Sequence, residues 1–379
     1  MRRTIIYHIL LFLLSPSASL LSPPQHLFVL IHGLAGTSDD LSYLAFVLED
    51  EGRRRKPPLE VQVLRVESNM GQTLDGVMAG AQRCAREVQA AVQGAEGRLS
   101  HISFVGNSLG GIYARAAAAL LYNDEGGEGT VAGLRPDTFC TISTPHLGVR
   151  DFTYLPISQI PGGVRQGLTT ALVGQTGREL MLDDRDDETP VPLVYRMATE
   201  ERFLAPLRSF RRRRAYGNLA GDFMVPFSTA LFNVSRQEPP SPQSSSAPAA
   251  RWGILDDRIN PLPVPSSRAL TEPSNPVSWI VHTLASSLSL APASLSSVDV
   301  TAEDMARGLD SLGWSKVGCR IFQPAMRGRL PTLPLAHNAI CSLGRRDGVN
   351  RILSGVWQKG RPVMDHCGAY LLEAAESPF

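Results

Sequence analysis

Ile102-Ser-Phe-Val-Gly106-Asn107-Ser108-Leu109-Gly110-Gly111-Ile-Tyr-Ala114-Arg-Ala-Ala-Ala-Ala-Leu-Leu121 decides the fold. Ile102 to Gly106 is a short apolar run with β-branched and aromatic residues, the pattern of a buried strand. Ala114 to Leu121 is rich in alanine and leucine, the pattern of a helix. Between them stands Gly-x-Ser-x-Gly, with glycine again at Gly111. A serine on so tight a strand-to-helix turn is lifted off the sheet, and the residues two positions to either side must be glycine to clear the neighbouring strand and helix. The N–H groups that open the following helix then point at whatever sits over the hydroxyl. This context separates the motif from a chance occurrence and marks Ser108 as a nucleophile.

Working outward, strand and helix alternate. His26 to Ile31 is a continuous apolar run, as in a strand buried on both faces of a parallel sheet. Leu41, Leu44, Val47 and Leu48 follow at helical spacing. Val61 to Val66 reads as a strand, and a helix from Thr73 carries Leu74, Val77, Met78, Ala81, Cys84 and Val88 on one face. Thr138 to Ser143 is a further strand. The alternation predicts an α/β fold with a mainly parallel central sheet flanked by helices. Residues 151–205, with Gly/Pro turns and an acidic patch from Asp183 to Glu188, are the place for a cap or lid. Ala215 to Leu219 reads as a late strand behind the basic run Arg211 to Arg214. Residues 235–298 include a Pro/Ser/Ala stretch with too few large apolar groups to offset chain entropy, so a disordered insert is expected there. One helix is suggested near Val277 to Leu288. Ala302 to Leu312 (helix), Lys316 to Phe322 (strand) and Val363 to Ala374 (helix) restore regular structure.

The chain has 379 residues, 43% of them hydrophobic, and a formal net charge of +1. That balance excludes a strongly basic nucleic-acid binder. Five cysteines occur with no CxxC and no zinc-like Cys/His spacing, which reads as buried free thiols and no metal site. At the N-terminus Arg2 and Arg3 precede an apolar run from Ile5 to Leu14 and then Ser15, Ser17, Ala18 and Ser19. Basic, apolar and small in that order is the pattern of a signal peptide. Residues 1–25 are therefore expected to be a leader to the secretory pathway or an organelle, a plastid among the options. Without the leader the location would be cytoplasmic.

His32-Gly33-Leu34-Ala35-Gly36 ends the first strand, where a fold with this elbow places its second oxyanion donor. The Leu34 and Leu109 N–H groups are the expected pair, with Gly33 letting the backbone approach the substrate and His32 bracing the loop. A base must follow Ser108 in the chain. Of His146, His282, His337 and His366, only His337 lies in a loop after a late strand. His146, in Thr144-Pro-His-Leu-Gly148, is expected to shape the site entrance. Asp222, in Tyr216-Gly-Asn-Leu-Ala-Gly-Asp222-Phe-Met-Val-Pro226, is the expected acid, with the Asp183 to Asp187 run as its rival. The basic cluster Arg208 to Arg214 offers either a contact to an anionic membrane or a solvated strand edge.

Together these segments resemble the serine-esterase family of lipase-like α/β-hydrolases, first catalogued as a domain of unknown function. The matching stretches are Phe28 to Leu34, Ile102 to Arg115, Ser143 to Gly148, Asn218 to Pro226, and at the C-terminal end Leu309 to Trp314, Val317 to Phe322 and Ala336-His337-Asn338. The resemblance implies an α/β-hydrolase domain over residues 26–375, the triad Ser108, Asp222 and His337, and no cofactor. It also implies lipids or other esters as substrates. Thioester cleavage or acyl transfer would use the same groups, and a catalytically dead, partner-binding relative is the other class.

Overall fold

The computed structural model describes residues 25–125, 127, 129–152, 174–186, 188–219, 221–222, 224–234, 253–256, 300–321 and 335–376. The leader, the core of the Pro/Ser-rich insert, the suggested helix at 277–288 and His282 lie outside the described residues, as does most of the first part of the expected cap.

Seven strands form one sheet: β1 (Gln25–Ile31), β2 (Val61–Arg65), β3 (Leu99–Asn107), β4 (Arg135–Ile142), β5 (Arg212–Asn218), β6 (Gly253–Asp256) and β7 (Ser315–Arg320). Their order across the sheet is β2-β1-β3-β4-β5-β7-β6, parallel throughout except for the antiparallel β6 on the edge. Helices α1 (Ser42–Arg54), α2 (Val77–Gly94), α3 (Leu109–Leu121), α4 (Leu193–Thr199), α5 (Glu201–Ser209), α6 (Ala302–Asp310), α7 (Leu335–Ile340) and α8 (Arg361–Glu376) connect and cover it. This is the α/β-hydrolase arrangement that the sequence pattern implies.

The sheet is buried from both sides, which is why its strands read as unbroken apolar runs. Leu27, Val29 and Ile31 face α2, α3 and α5, while Phe28 and Leu30 face α1 and α8. Successive side chains of one strand thus feed two separate cores. Each fully buried Val, Leu or Phe contributes roughly 1.5–3 kcal/mol.

Topology puts the functional ends together. The chain runs from β1 outward to β2 and then back across β1 to β3, so the order reverses between β1 and β3. Ligands of open α/β sheets bind outside the carboxyl ends of the strands at such a reversal. Ile31 pairs with Gly106, Gly106 with Thr141, Ile142 with Tyr216 and Asn218 with Cys319, so these strands end along one edge. The loops after β1, β3, β4 and β5 leave from that edge as neighbours.

Several boundaries differ from the sequence reading. The helix expected from Thr73 begins at Val77, and Leu74 is exposed on the preceding loop. Arg212 to Arg214 of the basic run lie inside β5 rather than before it, and Arg211 immediately precedes the strand. The run is accommodated because arginine stems bury while their heads find partners. Arg211 pairs with Asp137 at 2.7 Å, Arg212 and Arg214 stack on the Tyr370 ring, and Arg213 caps carbonyls of Leu207 and Arg208. Neither a free membrane patch nor a solvated edge describes it. The C-terminal part of the expected cap is scaffold: Val194, Met197, Phe203, Leu204 and Leu207 of α4 and α5 are buried in the main core. All five cysteines are buried free thiols, as expected.

His26, on β1, is 2% exposed and hydrogen-bonded to Ser103 Oγ at 2.8 Å. Burial, reinforced by the charges of His101 and Arg211, lowers its pKa from 6.5 to about 3. The folded state thus holds it neutral while the unfolded chain protonates below pH 6.5, so stability is complete above that value and is lost as pH falls toward 3. Linkage makes this about 2 kcal/mol between pH 7 and pH 5. Urea unfolding at the two pH values should show that loss, and the difference should shrink by about that much in His26→Gln. A second expectation concerns Gly110, where a Cβ would meet the Ile31 carbonyl oxygen at 2.1 Å. Gly110→Ala should destabilise by about 1–3 kcal/mol or more, read as a lowered thermal midpoint.

Candidate active site

Ser108 ends β3 and precedes α3 with φ 55° and ψ −128°, a backbone region that non-glycine residues avoid. The turn is held by contacts no side chain could enter. A Cβ on Gly106 would lie 2.3 Å from Gly111 Cα, and one on Gly111 would lie 2.1 Å from Thr144 Oγ1. The Ser108 N–H donates to the Ile142 carbonyl at 2.8 Å, tying the elbow to the end of β4. The nucleophile position is therefore fixed from three sides.

The structure brings Ser108, His337 and Asp222 into one hydrogen-bonded line. His337 Nε2 stands 2.9 Å from Ser108 Oγ, and its Nδ1 stands 3.0 Å from Asp222 Oδ2. With Nδ1–H donating to the carboxylate, Nε2 is left as the acceptor for the serine proton. His337 does not sit in a loop as expected. It lies on the short helix α7, buried between Ala336 and Ile340. Asp222 follows β5 in a turn that its own carboxylate closes, accepting the Val225 N–H at 2.9 Å.

Asn218 went without a role in the sequence reading. From the last position of β5 its Nδ2 donates to Asp222 Oδ2 (2.9 Å), to the Ala336 carbonyl (3.1 Å) and to Ser143 Oγ (3.3 Å). One amide thus joins the loop after β4, the acid and the residue before His337. Its signal was an Asn at a strand terminus four residues before the acid. Burial alone would raise the Asp222 pKa. The facing His337 and the donors from Val225 and Asn218 outweigh it and hold the carboxyl below its ordinary value.

The loop after β1 lies directly against the serine. A Cβ on Gly33 would be 2.8 Å from Ser108 Cβ, so only glycine passes there. Neither the Leu34 nor the Leu109 N–H finds an acceptor among the described residues, and Leu109 opens α3. Leu34 follows the glycine that lies against Ser108, and Leu109 follows the serine at the positive end of α3. The loop has two anchors that the sequence did not disclose. Ala35 N–H donates to Thr73 Oγ1 at 2.9 Å, and Arg345 Nη1 donates to the Ala35 carbonyl at 3.0 Å. Arg345 is itself held by buried Asp40 at 2.6 Å.

Of the two histidines expected near the site, His32 takes the bracing place and His146 lies away from the entrance. The His32 ring fills the inside of the 33–36 turn, donating from Nδ1 to the Gly33 carbonyl at 3.0 Å. It is almost wholly buried, so it braces the loop and does not line the site. His146 does not shape the entrance. Its Nε2 meets Thr141 Oγ1 at 2.9 Å, Nδ1 faces Arg115, and its ring packs edge-on against Phe232 and Trp314. Burial, with the charges of Arg115 and Lys316, holds it neutral. Arg115 donates to the His146 carbonyl at 3.2 Å, which fixes the loop after β4 from beneath. The rival acid Asp184 instead accepts the Leu193 N–H at the start of α4.

The family described as "Putative serine esterase" matches residues 22–237, more than half of the chain. The chain is 30% identical over 207 residues to the Saccharomyces cerevisiae protein named "Putative lipase ROG1", covering 54% of this chain and 28% of that one. It is 29% identical over 227 residues to the Schizosaccharomyces pombe protein named "Putative lipase C4A8.10", covering 58% and 28%. The matched region thus spans less than a third of these curated relatives. Among solved structures, phospholipase PlaB from Legionella pneumophila in complex with thio-NAD aligns at TM-score 0.35 and 12% identity, over 52% of this chain and 38% of that one. That likeness is too loose to bear on function.

Removing Asn218 would take a donor from Ser143, from the Ala336 carbonyl and from Asp222, which keeps only its bond from His337 at Oδ2. Asn218→Ala should cost about 1–3 kcal/mol, because buried groups lose a partner that water cannot replace. Thermal denaturation at pH 7 checks it, and Asn218→Asp should not restore the loss, since it sets a second carboxylate beside Asp222.

Proposed function

The chain belongs to the "Putative serine esterase" family, and from that premise we propose that it is a carboxylic ester hydrolase of the lipase type, cleaving acyl esters of lipids through an acyl-enzyme on Ser108. The observation that carries the reading is the line from Asp222 through His337 to Ser108 Oγ, with hydrogen bonds of 3.0 and 2.9 Å. It ends on a serine whose backbone is strained into the elbow conformation. Packing explains where each of these groups lies, but a strained serine, a buried imidazole and a buried carboxylate in sequence have a chemical use together.

The steps follow from the geometry. His337 Nε2 takes the Ser108 proton as Oγ attacks the ester carbonyl. The carbonyl oxygen becomes an oxyanion that accepts from the Leu34 and Leu109 N–H groups. Asp222 keeps Nδ1–H in place and stabilises the imidazolium. That imidazolium gives its proton to the departing alcohol oxygen, leaving the acyl group on Ser108. Water, deprotonated by His337, then releases the acid and restores the serine. Lipid esters are favoured over small soluble ones by the names of the curated relatives, which the chain matches over less than a third of their length. Thioesters or an alcohol acceptor would be served by the same groups.

The test is labelling of the full chain by a fluorophosphonate probe. Wild type should label and Ser108→Ala should not. Turnover of a p-nitrophenyl acyl ester should fall on the order of 10³–10⁴-fold in Asp222→Asn, where the imidazole loses its orienting acceptor. A folded wild type that neither labels nor turns over such an ester would place the chain among non-catalytic relatives. A finer expectation concerns Thr73. Thr73→Val keeps the shape but frees the Ala35 N–H, so kcat should drop roughly tenfold with little change in KM, since a donor aimed at the oxyanion matters most in the transition state.

A further inference from the structure

Seven large apolar side chains stand exposed among the described residues; three of them, Met70, Leu74 and Met224, lie in loops next to site residues, and two, Val349 and Ile352, share one short helix. Leu74 follows Thr73, the anchor of the Ala35 N–H, and Met70 shares that loop. Met224 lies two residues past Asp222. Val349 and Ile352, 66% and 82% exposed, lie on a short helix, Gly348–Ile352, that buries none of its residues. That helix follows Arg345, which grips the Ala35 carbonyl from the other side of the same loop. Single exposed apolar residues are ordinary on a protein surface, but two on one helix that buries none of its residues mark a surface that meets something apolar.

The charge around the helix says what that is. Residues 345–361 contain five cations and one carboxylate; of the cations, Arg345 is paired with Asp40 and Arg361 lies over the Tyr43 ring. Arg346 and Arg351 are exposed on either side of Val349 and next to Ile352. Apolar tips flanked by arginines are the composition of segments that rest in the headgroup region of an anionic bilayer. A second copy of this chain is a poor occupant, because a two-fold contact would set this basic surface against its own kind. The run Arg211 to Arg214, basic in sequence, has its guanidinium groups engaged with Asp137, Tyr370, Ser315 and the end of α5.

We propose that Val349 and Ile352, flanked by Arg346 and Arg351, form a docking surface for an anionic lipid bilayer that sets the mouth of the Ser108 site against the membrane. The inference rests on the reading of that site as one for acyl lipids, and it supplies the substrate's source: esters presented in a bilayer rather than dissolved.

The experiment is co-sedimentation of the full chain carrying Ser108→Ala, which binds without consuming lipid. The vesicles are phosphatidylcholine alone and phosphatidylcholine with about a third phosphatidylserine. Binding should favour the anionic vesicles and weaken in high salt. Val349→Ser with Ile352→Ser should lower the partition coefficient about tenfold or more. Arg346→Gln and Arg351→Gln should each lower it about fivefold, the factor for a cation near such a surface. Leu120→Ser, at the far end of α3, should leave it unchanged. Soluble-ester turnover by the wild-type background should stay the same in the Val349, Ile352, Arg346 and Arg351 variants. Undiminished binding by the Val349/Ile352 double variant overturns the proposal. So does a failure to bind anionic vesicles while wild type still cleaves the soluble ester. A dimer in sedimentation velocity that the double variant dissolves overturns it too, and names a second copy as the occupant. Vesicle binding that depends on these residues in a chain that cleaves no ester upholds the docking surface and removes the catalytic reading alone.

Discussion

The site depends on one constraint, which is that backbone meets backbone where β3, α3 and β1 cross. A Cβ on Gly106 would sit 2.3 Å from Gly111 Cα, and one on Gly110 would sit 2.1 Å from the Ile31 carbonyl oxygen. Neither obstacle is the far end of a flexible side chain that could swing aside. The strands are locked in register, Ile31 against Gly106 and Gly106 against Thr141. Ser108 therefore has nowhere to relax to, and its strained φ, which costs of order 1–3 kcal/mol, is held by the surrounding ladder. The same close approach carries the Gly33 loop up against the serine, so Ser108 and the loop after β1 are placed by a single packing event.

Around that crossing the polar groups are buried and linked to one another by hydrogen bonds. Asp222 is an anion with almost no solvent, and it is tolerated because Asn218, Val225 and His337 all donate to it. Asn218 also reaches Ser143 and Ala336, so moving any one of these segments breaks bonds on the others. Beneath the site Arg115 and His146 form a second polar layer, with the ring of His146 enclosed by Phe232 and Trp314. Asn218 Oδ1 and Arg115 Nε and Nη2 find no partner among the described residues, so the network carries a cost as well as a gain. The bonds to Asp222 and Ser108 hold the imidazole in one orientation.

What was legible in the sequence was local. The elbow could be read at Ser108 because its glycines recur within five residues and its flanks have different periods. The loop at His32 to Gly36 could be read because a buried strand ends abruptly in glycine. Asp222 and His337 were legible only through chain order, and the helical setting of His337 was missed because Leu335 to Ile340 is too short to show a period. Asn218, Thr73 and Arg345 act through hydrogen bonds to residues distant in sequence, which no local pattern encodes. The four arginines at 211–214 looked like a break before a strand. Their stems instead lie along the sheet, and two of their heads stack on Tyr370 of α8, a partner more than 150 residues away. His146 looked accessible because a histidine after a strand often is, but whether its ring turns toward solvent or toward Trp314 is decided by packing.

The spacing of the functional groups along the chain follows from which distances must be short. Ser108 and Gly33 touch through backbone, so they had to come from adjacent strands, β3 and β1. His337 reaches Asp222 through two side chains, so only the ends of their elements need meet, although 115 residues separate them. Closing a longer loop costs little, about 0.6 kcal/mol for each doubling of its length. The long Pro/Ser-rich stretch between Asp222 and His337 is therefore compatible with their contact, provided β5 and β7 are already neighbours. Their register, Tyr216 against Val317 and Asn218 against Cys319, is set by the sheet and not by the intervening chain. β6 adds itself antiparallel to the outer edge of β7, where it leaves the β5–β7 pairing intact. Insertion length is thus nearly free at this point of the fold, whereas one methyl group at Gly106 or Gly110 is not.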